Sequence, residues 1–113
     1  MENLDISNWD IFNVTYMGSM FYGCQSLKQL DLSRWDTSNV VDMSLMFNEC
    51  KSMEKLCISE WKTSKTINMS WMFCGCRSLK KIDLSKWDIS RVFDMSNMFD
   101  GCKKSIIPYW YYK

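Results

Sequence analysis

Histidine is absent from the 113 residues. Its absence removes the commonest general base near neutral pH, the Ser–His and Cys–His nucleophile pairs, and the commonest metal ligand. No apolar run approaches the roughly 18 residues that a membrane-spanning helix requires. No G-x-G-x-x-G and no G-x-x-x-x-G-K occurs, so phosphate-cradling loops are not indicated. Neither sign of charge dominates: 14 basic residues face 13 acidic ones, for a net charge of +1. That balance argues against a dedicated nucleic-acid binder or a polybasic membrane anchor. The opening residues, Met1-Glu2-Asn3-Leu4, lack the basic and apolar regions of a secretory signal, and no lipid-acceptor cysteine stands near them. The sequence therefore reads as intracellular as it stands, or as a fragment of a longer exported chain.

What the chain has instead is apolar residues in a fixed order. It is 47% hydrophobic and 15% aromatic, enough to bury a core in one domain. The segment LDLSRWDTSNVVDMSLMFNECKSMEK, residues 30–55, recurs at 4–29, 56–81 and 82–107 without a gap. A short fixed period means a repeat array, each unit burying its apolar edge against its neighbours. The spacing predicts one short strand and a short helical return per unit. Leu27, Leu30 and Leu32 alternate as a strand does, and the frame repeats at Met53, Leu56, Ile58 and at Leu79, Ile82, Leu84. Asp36-Thr37-Ser38 reads as a turn, because an aspartate side chain can bond backbone N–H groups two residues on. Val40–Met43 reads as a second extended piece. Met43, Met46, Phe47 and Cys50 fall at helical spacing, with Ser44 as a cap. Gly23, Gly75 and Gly101 are placed for a positive-φ helix end, with Glu49 in the second copy.

The pattern L-D-L-S-x-W-D-T-S-x-V-x-D-M-S-x-M-F-x-x-C-x-S-L resembles the BspA-like leucine-rich-repeat family in its mycoplasma-lipoprotein form. The W-D-T-S and D-M-S-x-M-F segments carry the resemblance, over residues 4 to about 105. It implies an α/β leucine-rich-repeat solenoid and, commonly, a cell-surface protein that binds host or matrix proteins.

Four of the six cysteines, Cys24, Cys50, Cys76 and Cys102, share one place in the repeat. They read as a column of small buried thiols. Neighbouring copies would bring them near disulfide distance, but parallel Cβ vectors make the bond's dihedral awkward. Cys74-Gly75-Cys76 is the one close pair, and without histidine or C-x-x-C a zinc site is not expected. Cys57 replaces an aspartate of the other copies and should face outward. Asp5, Asp31 and Asp83 share a strand position, and Asp10, Asp36 and Asp88 a turn position. Such carboxylates could pair for acid–base chemistry or calcium; they could equally be a solvated face, and the third copy breaks both columns with Cys57 and Lys62. That copy also gathers Lys62, Lys65, Arg77, Lys80 and Lys81 against Glu60 alone, a basic patch that could steer an acidic partner.

The expected function is a non-enzymatic protein-interaction module with no cofactor and no metal. Its binding surface would be the strand face: Gln29, Asp31, Ser33, Lys55, Cys57, Ser59, Lys81, Asp83 and Ser85. The alternative is a structural or self-assembling array joined end to end. The partner is expected to be another protein, with no nucleic acid and no membrane insertion. The remaining residues, 108–113, follow a break at Pro108 and form an aromatic tail, read either as a cap or as an exposed docking motif.

Overall fold

Alternation of apolar and polar residues produces the strands. Leu30 and Leu56 point inward, flanked by outward Gln29, Asp31 and Lys55 and half-buried Cys57. They centre β1, Gln29–Asp31, and β2, Lys55–Cys57, which pair in parallel with Gln29 opposite Lys55 and Asp31 opposite Cys57. The computed structural model describes residues 3–112. Among these, the flanking copies contribute only isolated parallel bridges, Asn3 to Gln29 and Lys55 to Lys81. The second extended piece is likewise reduced to bridges running Tyr16, Asp42, Asn68 and Asp94.

The expected leucine-rich-repeat solenoid, with a strand and a helical return in each unit, is therefore incorrect. The chain is a compact globule of 33 × 32 × 20 Å, with two short parallel strands and no α-helix among the described residues. The helical pieces among the described residues are 3-10 turns at Lys104–Ile106 and Tyr109–Tyr112. The helix expected through Met43, Met46, Phe47 and Cys50 fails for a physical reason. An α-helix needs successive N–H groups aimed along its own axis. Here the N–H groups of Met43, Leu45, Phe47 and Glu49 donate sideways, to the carbonyls of Asn68, Ser70, Met72 and Cys74. Leu45 and Glu49 adopt φ of 60° and 62°, in the left-handed region that interrupts a right-handed helix. Ser44 is no helix cap; its N–H donates to Asp42 Oδ1 at 2.8 Å inside a turn. The four side chains assigned to a helical face are nonetheless fully buried. Their spacing marks the inward side of consecutive turns. Gly23, Gly75 and Gly101 do take positive φ, but within turns.

The core is a set of aromatic and sulfur ladders. Trp35, Trp61 and Trp87 are buried, with adjacent rings stacked at 6.4 and 6.2 Å. Each indole N–H donates to a buried-side carbonyl: Trp35 to Ile6, Trp61 to Leu32, Trp87 to Ile58. Phe21, Phe47, Phe73 and Phe99 stack beside them at 5.4–5.7 Å. Thr66 Oγ1 donates to the Val40 carbonyl, and no buried side-chain nitrogen or oxygen among the described residues lacks a partner. At the C-terminal end the tail acts as a cap: Trp110 is buried, and Tyr111 meets Phe99 edge-on at 5.0 Å. Trp9 stacks on Trp35 at 6.4 Å and is the exposed rung of the indole ladder, 56% in solvent.

Candidate functional site

Residues on the outward side of β1 and β2 are free of core packing, and they line two adjoining grooves. The first, of about 430 Å³, is lined by Asn3, Leu4, Asp5, Ser7, Gln29, Leu30, Asp31, Lys55 and Cys57. The second, about 390 Å³, shares Lys55 and Cys57 and continues through Ser59, Lys81 and Asp83. The structure thus brings together Gln29, Asp31, Lys55, Cys57, Ser59, Lys81 and Asp83. Ser33 and Ser85 are exposed but line neither groove. Their hydroxyls are turned back instead: Ser33 Oγ donates to Asp31 Oδ1 at 2.6 Å and Ser85 Oγ to Asp83 Oδ1 at 2.7 Å.

That serine–aspartate clasp is a local consequence of sequence. An aspartate two residues before a serine accepts both its N–H and its hydroxyl, closing a small turn. Asp5 and Ser7 make the same pair. The serine hydrogen bonds hold the Asp5, Asp31 and Asp83 carboxyls below the ordinary carboxylate value, with smaller contributions from nearby cations such as Lys55 at Asp31. These groups are therefore fixed anions with part of their hydrogen-bonding capacity already used. Across the parallel register Asp31 lies opposite Cys57, and Lys55 lies between Gln29 and Lys81; the grooves lined by these residues carry both signs of charge. The strand-face reading missed Asn3, Leu4, Asp5, Ser7 and Glu54. The repeat frame already sets Asp5 at the strand position of Asp31 and Asp83, the signal that would have brought Asp5 into the face.

The cysteines divide by position. Cys50 and Cys76 are buried, and their thiols donate to the carbonyls of Phe21 and Phe47 at 3.1 Å. Burial pushes the Cys50 thiol up to about 12 and the Cys76 thiol up as well. Cys102 donates to Phe73 and is likewise pushed up to about 12 by burial. Cys24, Cys57, Cys74 and Cys102 are half-buried. Alkylation of the native protein, read by mass spectrometry, is expected to label Cys57 first because it lines both grooves. Cys50 and Cys76 should label only after denaturation. Equal rates at Cys50 and Cys57 would overturn this assignment.

Among the described residues no group of three histidine, cysteine or carboxylate side chains is arranged to hold a metal ion, and no helix is long and apolar enough to cross a membrane. Comparison with known proteins gives one match. The family described as Mycoplasma protein of unknown function, DUF285, matches residues 1–110. No curated protein and no solved structure matches the chain.

Proposed function

We propose that this chain, which belongs to the DUF285 family of Mycoplasma proteins of unknown function, is a non-enzymatic module that binds another protein through its strand face. The observation that carries this reading is the pair of adjoining grooves, which hold side chains of both charges that the core does not use. Mixed, preorganised charge suits recognition of a complementary polar surface. The chain has no histidine, the commonest base for activating a nucleophile, which supports binding over nucleophilic catalysis. The W-D-T-S and D-M-S-x-M-F segments add support, since they resemble those of BspA-like surface proteins. On that resemblance the partner class is a host or matrix protein, and the binding surface does not depend on a solenoid.

The test is saturable binding of the purified chain to a panel of immobilised extracellular-matrix proteins. The expected result is binding to at least one of them that is lost in a Lys55→Glu/Lys81→Glu variant of unchanged thermal midpoint. Both lysines are exposed, so the fold should tolerate the change. No binding, or binding that survives the double substitution, would overturn the reading. A second reading, self-association, is favoured by backbone groups that pair with nothing among the described residues: the carbonyls of Tyr16, Gly18, Met20 and Tyr22 and the N–H groups of Met95, Asn97, Phe99 and Gly101.

A further inference from the structure

The first three copies of the repeat each close a two-residue turn before the next strand position. The Leu27 N–H donates to the Cys24 carbonyl, the Met53 N–H to Cys50 and the Leu79 N–H to Cys76, at 3.4, 3.3 and 3.4 Å. Such a bond closes a β-turn around the two residues between. These are Gln25-Ser26, Lys51-Ser52 and Arg77-Ser78. The residues that hold the second and third turns are buried, with Cys50, Met53, Cys76 and Leu79 each 0% exposed. The tips are left outside the core, a cation followed by a serine. Lys103-Lys104 takes the same place in the fourth copy, where the 3-10 turn at Lys104–Ile106 begins.

These tips stand in one row. The Glu49 N–H donates to the Cys74 carbonyl at 2.7 Å, and the Gly75 N–H to the Asp100 carbonyl at 2.8 Å. A Cβ on Gly101 would lie 3.3 Å from Gly75 Cα, and one on Gly75 3.3 Å from Glu49 Cα. Residues 49, 75 and 101 therefore stack directly, two residues before Lys51, Arg77 and Lys103. Beyond the turn Lys55 bridges to Lys81, so Lys51 and Arg77 are held in register from both sides. Neighbouring levels of such a ladder lie about 4.7–4.9 Å apart. Arg77, Lys103 and Lys104 make no ion pair with a described residue. Lys51 pairs with Glu49 at 3.5 Å, a half-exposed contact that a stronger anion can replace. Asp100, the other carboxylate near the row, accepts from Asn97 Nδ2 at 2.6 Å. The N–H groups and hydroxyls of Ser52 and Ser78 bond to no described residue.

We infer that this row of turns binds a linear sulfated polysaccharide. Each tip offers a cation, and two of them add a serine hydroxyl and N–H beside it. That donor set suits an oxyanion with several acceptor oxygens. The Arg77 guanidinium can engage two such oxygens at once. One small anion would use one tip, whereas cations repeated at ladder spacing suit a chain that carries its charges in series. Other polyanionic partners fit less well. The apolar side chains of the turns are wholly buried, so no exposed ring offers a base something to stack upon, and no apolar group can enter a bilayer. Sulfate esters need neither. The row is separate from the strand-face grooves, which include none of Lys51, Arg77 and Lys103, and the inference does not rest on the reading of those grooves.

The test is titration of the full chain with heparin at about 0.15 M salt, beside hyaluronan, polyglutamate and single-stranded DNA. Heparin is expected to bind, and hyaluronan, whose charges are carboxylates alone, is not. Lys51→Gln/Arg77→Gln/Lys103→Gln installs the residue that the first copy carries as Gln25, so the turns should form. This variant is expected to lose at least about tenfold in heparin affinity, with its thermal midpoint unchanged. Lys62→Gln/Lys65→Gln/Arg91→Gln removes the same charge from exposed positions elsewhere in the repeat and should stay within about twofold of wild type. A second readout uses the wild type alone: bound heparin should protect Lys51 and Lys103 from acetylation more than Lys62 and Lys65, as read by mass spectrometry. Absence of heparin binding, equal losses in the two variants, or equal protection of the four lysines would overturn the inference. Equal affinity for hyaluronan, polyglutamate or single-stranded DNA would overturn it too, by assigning the row to polyanions at large.

Discussion

Replacing Trp61 by alanine is expected to lower the unfolding free energy by about 3–5 kcal/mol, whereas the same change at Trp9 should cost under about 1 kcal/mol. Trp61 is 3% exposed and lies between Trp35 and Trp87, with stacked neighbours at 6.4 and 6.2 Å. Truncation removes the buried ring area and opens a cavity that rigid neighbours can only partly fill. It also removes one of the two donors to the Leu32 carbonyl, which Trp61 Nε1 reaches at 2.9 Å and the Trp35 N–H at 3.1 Å. Trp61→Phe separates these effects. The phenyl ring keeps most of the packing, and the Leu32 carbonyl keeps its bond from the Trp35 N–H, so a loss of about 0.5–1.5 kcal/mol is expected from the missing indole bond alone. Trp9 has one stacked neighbour, Trp35, and more than half its surface in solvent. Urea unfolding of the wild type and the three variants, at a concentration where all are monomeric, measures the differences. Equal losses at Trp61 and Trp9 would overturn the ladder as the source of stability.

The burial pattern was legible in the sequence because burial follows apolar type and spacing. Met43, Met46, Phe47 and Cys50 are buried in accord with the inward face read from their spacing. The backbone was not legible, because spacing alone does not say where N–H groups point. Met43, Met46, Phe47 and Cys50 satisfy a helical period, yet the groups between them bond to the following copy. Their left-handed kinks fall on Leu45, Glu49, Trp71 and Asn97 as well as on glycines. Leucine and tryptophan give no warning of positive φ, which their Cβ ordinarily disfavours. Cross-copy hydrogen bonds hold those residues there, and no local propensity records such bonds. The groove was partly legible for the same reason in reverse. Outward positions in a strand frame are local information, so Gln29, Asp31, Lys55 and Cys57 could be named from the sequence alone. The serine–aspartate clasp, which occupies the Ser33 and Ser85 hydroxyls, was the competing local interaction.

Trp110→Ala is expected to lower the unfolding free energy by about 3–5 kcal/mol, a core-sized loss from a residue near the chain terminus. Trp110 stands 23 residues after Trp87 and so falls three short of the 26-residue period, which is why the sequence does not announce its role. In space it takes the next place in the indole series. The acceptors of Trp35, Trp61, Trp87 and Trp110 are the carbonyls of Ile6, Leu32, Ile58 and Leu84, spaced at the repeat period. The ring is 6% exposed and tilts against Phe99 at 6.4 Å. Without it, Phe99, now 4% exposed, would meet water. An exposed docking motif would behave otherwise, since an accessible ring costs little to remove. Trp110→Phe should recover most of the loss and Trp110→Ala none of it, because covering Phe99 needs a ring of some kind. Tyr109→Ala and Tyr112→Ala should each stay within about 0.5 kcal/mol of wild type, as both residues are more than 70% exposed. Urea midpoints for the four variants decide the matter: a Trp110→Ala midpoint equal to that of Tyr112→Ala would mean that the tail covers nothing.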